Sequence, residues 1–212
     1  MKRSFYLPKK IPKKTNPSDP VEWYYKPLFG YGYKKRLALA LDALGTNYNK
    51  LLEVGYGSGI LLPELSRHCQ ELHAIDIHSN ITPVQEMLEC ENVRACLKVG
   101  SILDLKYTTN TFDAIMSLSV LEFIDKNHLP IALKEIHRVT KSGGRIVLGF
   151  PRYSKLSDLV FRLYGLRADD LYSCSYHDMV AAVKNEFPDA EIYLWPSIPN
   201  TMAIYAICRC QA

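Results

Sequence analysis

Short apolar runs alternate with segments of helical pattern along most of this chain, and the first run ends in a glycine-rich turn. Runs at 50–54, 72–77, 93–99, 112–118 and 145–150 read as strands. Segments 60–69, 82–92 and 128–141 between them read as helices. In the last of these, Leu129, Ala132, Leu133, Ile136 and Val139 share one face, and Ser142, Gly143 and Gly144 stop it. Thr82 is expected as an N-cap, with Pro83 at the first helical position. Such alternation implies a doubly wound α/β fold: a mostly parallel sheet with helices on both faces. EIYLW at 191–195 and AIYAICR at 203–209 add two strands, with an antiparallel C-terminal strand, for seven in all. Upstream, 34–44 reads as a helix stopped at Gly45, behind an aromatic-rich stretch at 21–33.

Composition narrows the function classes. With 212 residues, 48% hydrophobic and 23% charged, the chain suits one globular domain and excludes wholesale disorder. No apolar run approaches the roughly 18–20 residues of a membrane span. The start is basic but lacks the apolar stretch of a secretory signal, so a cytoplasmic protein is expected. Six basic residues and no acid lie in 1–14, which leaves 20 Lys and Arg against 22 Asp and Glu elsewhere. A body at −2 argues against a nucleic-acid groove across the fold. Residues 1–20, broken by Pro8, Pro12, Pro17 and Pro20, read as a flexible basic arm. Such an arm either solubilises the chain or touches an anionic partner such as RNA or the inner face of a membrane. Six cysteines form no C-x-x-C pair, and no metal site is expected.

The turn after the first strand reads Leu51-Leu52-Glu53-Val54-Gly55-Tyr56-Gly57-Ser58-Gly59. Glycine permits the tight turn and lets a ligand approach the backbone, at the sheet edge where such folds bind ligands. A dinucleotide site wants a small third residue in G-x-G-x-x-G, and Ile60 stands there. Glu53 would repel a pyrophosphate but accept a hydrogen bond from an ammonium, so a nicotinamide oxidoreductase is disfavoured. Asp76, 17 residues after Gly59, ends the second strand where a carboxylate can accept from ribose hydroxyls. Ile77 and Ile102 are placed to sandwich a flat base, with Ser101 at its edge.

Five blocks, LLEVGYGSG, AIDIH, VGSILDL, FDAIMSLSVLEFI and LKEIHRVTKSGGRIVL, resemble in order and spacing the class I S-adenosylmethionine-dependent methyltransferases, over about residues 48–150. The resemblance implies a Rossmann-like fold and S-adenosyl-L-methionine as cofactor, with S-adenosyl-L-homocysteine as product. It assigns the methionine moiety to Glu53, Gly55 and Gly57, the ribose to Asp76, and adenine to Ser101 and Ile102, with Tyr56, Gly59 and Ile77 as further cofactor-binding candidates in the same blocks. Ser117 and Leu118, with Ser119, would pass near the sulfonium. Relatives often carry Asp where Ser101 stands, and V-L-E-H where this chain reads Val120-Leu121-Glu122-Phe123, so a histidine base is missing there.

The implied organisation is an arm at 1–20 and a single methyltransferase domain at 21–212. Within it lie the cofactor core at 48–150, a lid or acceptor insertion at 151–185 and terminal strands at 186–212. Methyl transfer from a sulfonium is an in-line displacement in which alignment supplies much of the rate. Acceptor choice is expected outside the shared blocks, at Trp23, Tyr24, Tyr25, Tyr153 and Tyr172, joined by Ser119 from the fourth block, with His177 the candidate base. Leu156, Leu159, Val160 and Leu163, among Arg152, Lys155, Arg162 and Arg167, suggest a basic amphipathic helix able to lie on a membrane. The expected acceptor is a small molecule or a lipid-linked one. A non-catalytic cofactor-binding scaffold and a protein or RNA methyltransferase are the alternatives.

Overall fold

A computed structural model describes residues 5–15, 19, 21–152, 173–197 and 203–212, without the side chains of 27–29. The candidate pocket residues Tyr153 and Tyr172, and the basic amphipathic stretch around 156–167, lie outside the described residues.

In chain order the elements are α1 (Val21–Tyr25), α2 (Pro27–Leu44), β1 (Tyr48–Val54), α3 (Leu62–Leu65), β2 (Cys69–Asp76), α4 (Thr82–Cys90), β3 (Cys96–Val99) and β4 (Phe112–Leu118). A 3₁₀ turn (Leu121–Phe123) follows, then α5 (Leu129–Val139), β5 (Thr140–Pro151), α6 (Tyr176–Glu186), β6 (Glu191–Trp195) and β7 (Tyr205–Gln211). The seven strands form one sheet in the order β3-β2-β1-β4-β5-β7-β6. Pairings from β3 through β5 are parallel. β7 inserts antiparallel between β5 and β6. Strand order reverses between β1 and β4, and the crevice at their carboxyl ends is where such sheets bind ligands.

Period-two alternation sends successive β1 residues into two cores. Leu51 packs with Ala114, Met116 and Val147 under α2 and α4. Leu52 and Val54 pack with Ile115, Ile146 and Leu148 under α5 and α6. All five predicted apolar positions of α5 are buried there. Cys208 and Cys210, two apart on β7, share the second core.

Several boundaries move for identifiable reasons. The helix expected at 60–69 is one turn, because β2 starts at Cys69 to pair with Tyr48. The strand expected at 93–99 begins at Cys96. Thr82 lies inside α4 with Ile81 as its cap, so the Thr82 side chain caps nothing. Ser142-Gly143-Gly144 lies within β5, where Gly143 N–H donates to Ala212 O at 2.7 Å. The stretch 21–33 is helical, and α2 extends the expected helix back to Pro27 at its first turn.

The basic segment read as a free arm lies against the body at 5–15. Phe5 is buried in the core with Leu41, Leu62 and Leu65. Tyr25 OH donates to Pro8 O at 3.4 Å, and Lys10 and Lys13 pair with Glu86 at 3.6 and 3.5 Å. No helix among the described residues is long and apolar enough to cross a membrane.

Candidate active site

A cleft of about 930 Å³ opens at the reversal point. Its lining draws on the glycine turn after β1, the ends of β2 and β4, the turn at 100–103 and the inner face of α2. The sequence-predicted residues Glu53, Gly55, Tyr56, Gly57, Asp76, Ile77, Ser101, Ile102 and Leu118 all line it, as do Tyr24 and Ser119.

Glu53 is 5% exposed, and its Oε2 has no partner among the described residues. Burial, reinforced by the charge of Asp76, pushes this carboxyl up to about 8. A carboxyl held this way is suited to accept from a ligand ammonium, whose charge would favour its ionised form. Beside it, Gly55 and Gly57 hold φ of +82° and +51°, so the turn presents backbone rather than side chains.

Asp76 takes a larger structural part than a ribose acceptor alone. Its Oδ2 accepts from Gly57 N–H at 2.8 Å and its Oδ1 from His78 N–H at 3.2 Å. A carboxylate has about four acceptor positions, so capacity for ribose hydroxyls is left. His78 braces the same turn, with Nε2 2.9 Å from Gly57 O. Ser101 Oγ accepts from Leu103 N–H at 3.1 Å and so holds its own turn. Ile77 is 78% exposed at the mouth, opposite buried Ile102.

Other predicted residues fall elsewhere. A Cβ at Gly59 would meet Val84 Cγ1 at 2.6 Å, so this glycine serves the packing of α4 and not a ligand. Ser117 alternates away from Leu118 and is buried off the cleft. Trp23 lies beneath the Lys26 ammonium at 4.4 Å, and Tyr25 is bonded to Pro8; neither lines the cleft. His177 is exposed on α6 and is not among the described residues that line the cleft.

The cleft also contains residues that sequence reasoning passed over. Arg36 of α2 donates from Nη2 to Tyr24 OH at 2.6 Å and from Nη1 to Ser119 Oγ at 3.2 Å. The rings of Tyr33 and Tyr205 flank its guanidinium at 4.7 and 5.1 Å. Burial opposes the charge, but Tyr24, Tyr205 and Tyr33 around it keep the group cationic. Glu122 is 2% exposed, and burial pushes it up to about 8 while Arg36 pulls the other way. Asp19, bonded to Thr15 at 3.4 Å, reaches the lining from the N-terminal side. Arg36 carried a signal in the sequence: it is a cation set beside the apolar stripe Leu37, Ala40, Leu41 and Leu44.

Sheet order, glycine turn and buried carboxyl together resemble the cofactor domain of the class I S-adenosylmethionine-dependent methyltransferases. Residues 52–148 match the family model described as a methyltransferase domain. Over 122 residues, 56% of this chain, it is 26% identical to an uncharacterized methyltransferase, C70.08c, of Schizosaccharomyces pombe. That match spans 46% of the relative's own length, so the chain accounts for less than half of it. The fold is similar to the PH0226 protein of Pyrococcus horikoshii, with a TM-score of 0.69, 16% identity, and 92% and 97% of the two chains covered. It is also similar to the N-methyltransferase NodS of Bradyrhizobium japonicum in complex with S-adenosyl-L-homocysteine (TM-score 0.64, 18% identity, 93% and 94% covered). S-adenosylmethionine is the cofactor of this family.

Proposed function

We propose that this protein transfers a methyl group from S-adenosylmethionine to a small-molecule acceptor that enters the α2 side of the cleft. The observation that carries the reading is Glu53: a buried carboxyl with an unpartnered oxygen, set beside a glycine cradle and facing a cleft of about 930 Å³. Pockets of about 300–1,000 Å³ hold drug-sized ligands, so cofactor and a compact acceptor fit together.

In this reading Glu53 accepts from the cofactor ammonium, Gly55 and Gly57 admit its amino-acid part, and Asp76 accepts from the ribose. Ile77 and Ile102 cover the base, with Ser101 at its edge. Bound S-adenosylmethionine supplies an activated methyl group on its sulfonium. The chain itself orients the reactants and excludes water, for which Tyr24, Tyr33 and Leu118 are placed. A lipid-linked acceptor requires an open path at the mouth, where Ile77 and Phe123 are 78% and 51% exposed.

Calorimetric titration of S-adenosylmethionine tests the reading. Wild type should bind, and Glu53→Gln should weaken binding by about 1.5–3 kcal/mol, the worth of a hydrogen bond to a charged group. No binding by folded wild type would overturn it. Formation of demethylated cofactor from a crude metabolite extract separates an enzyme from a cofactor-binding scaffold.

A further inference from the structure

We infer that Glu122 takes the proton from the atom being methylated, and that this atom is the oxygen of an acceptor hydroxyl. The inference rests on the methyl-transfer reading above and deepens it.

Glu122 sits on the 3₁₀ turn after β4, and its Oε2 has no partner among the described residues although the side chain lines the cleft. A buried carboxyl oxygen without a hydrogen bond weakens a fold. Glu122 belongs to a polar network. Ser119 lies within hydrogen-bonding reach of the carboxyl, Ser119 Oγ is 3.0 Å from Tyr205 OH, and Arg36 donates to the same Oγ. Ser119 holds φ of +58°, a left-handed conformation that side chains rarely adopt and that clusters at functional sites. The titratable groups that interact with Glu122 are Arg36 of α2, Tyr205 of β7 and Cys174 ahead of α6, and Tyr24 of α1 and Tyr33 of α2 line the same cleft. Asp125 and His128 stand on the same wall of the cleft.

Chemistry selects the acceptor. A hydroxyl needs a proton acceptor, whereas an ionised carboxylate or a neutral amine attacks without one. An ammonium would have to enter beside Arg36, which already supplies positive charge to the network. Burial raises Glu122 to about 8, so without the positive charge of a ligand the carboxyl is mostly protonated at neutral pH. A sulfonium entering the cleft favours the ionised form, and the proton leaves to solvent. During transfer the acceptor O–H gives its proton to Glu122 as the oxygen–carbon bond forms and the carbon–sulfur bond breaks. The electron pair of the broken bond stays on sulfur. Sulfonium and carboxylate charges are then both cancelled, leaving a thioether and a protonated Glu122.

The test compares S-adenosylmethionine with S-adenosylhomocysteine, which share the ammonium and differ in the sulfonium. Each is titrated into wild type and Glu122→Gln at pH 7 in two buffers of different ionisation heat. Wild type should release at least half a proton more with the sulfonium ligand, and Glu122→Gln should bind both ligands while losing that excess. In wild type alone, the affinity ratio of the two ligands should rise with pH, by at most tenfold per unit, and level off near pH 8. An excess that persists in the variant, or a flat ratio, would overturn the role of Glu122. So would an acceptor methylated on nitrogen at an unchanged rate by Glu122→Gln. Failure of wild type to bind either ligand would instead remove the methyl-transfer reading.

Discussion

A Cβ added at Gly55 would lie 2.1 Å from Cγ2 of Val120. The glycine turn after β1 thus rests directly on the segment that carries Ser119 and Glu122. Gly55→Ala meets both this contact and a φ of +82°. It should destabilise the protein by about 1–3 kcal/mol. Adding Val120→Ala removes the collision but not the backbone strain, so the double variant should recover part of the loss in denaturant midpoint. A double variant no more stable than Gly55→Ala would contradict the contact.

Asp76 orders the glycine turn through two backbone N–H groups. Asp76→Ala frees the N–H groups of Gly57 and His78 together and should cost the ligand-free protein about 1.5–3 kcal/mol. Asp76→Asn keeps one acceptor oxygen and should cost less. Thermal unfolding without ligand measures this, and an unchanged Asp76→Ala midpoint would confine the residue to the ribose.

Both buried acids, Glu53 and Glu122, bind protons more tightly in the folded protein than in the unfolded one. The native state therefore holds more protons between their ordinary values and about 8, and stability must fall as pH rises through that window. Each contributes a slope of at most about 1.4 kcal/mol per pH unit. Glu53→Gln and Glu122→Gln should each flatten the curve and stabilise the ligand-free protein at pH 8, even where ligand binding suffers. Denaturant melts from pH 5 to 9 read this directly; a wild-type profile rising toward pH 8 would be the contrary result.

Arg138 ties the segment that follows the turn at 100–103 to α5. Its Nη1 and Nη2 donate to the carbonyls of Tyr107 and Leu105, both at 2.9 Å, and Glu135 accepts from Arg138 and from Leu105 N–H. Arg138→Ala should cost about 1–3 kcal/mol, and Arg138→Lys should restore little because a point charge cannot span both carbonyls. Urea melts distinguish these, with full rescue by Lys as the result against the clamp.

The N-terminal segment is anchored by apolar burial more than by charge. Phe5→Ala should cost about 3 kcal/mol and expose residues 5–15 to protease. Lys10→Ala with Lys13→Ala should change stability by less than about 1 kcal/mol, since their pairs with Glu86 are solvent-exposed. Release of the segment by 1 M salt alone would reverse that ranking.

What the sequence determined by itself is local. Strand periodicity, the apolar face of α5 and the glycine turn at 55–59 depend on residues within a few positions of one another, so spacing exposes them. Glu53 and Asp76 were legible for the same reason, each ending a strand beside a turn. The acceptor half of the cleft is different. Arg36 and Ser119 are 83 positions apart, and Ser119 and Tyr205 are 86 apart. Only the packing of α1 and α2 over the ends of β4 and β7 brings these groups together. His177, singled out for its chemistry, lies exposed on α6, because a residue type in a sequence does not fix where its side chain falls. Glu122 was an ordinary letter in a familiar block. Tertiary structure alone withdrew it from water, next to a cation it does not reach.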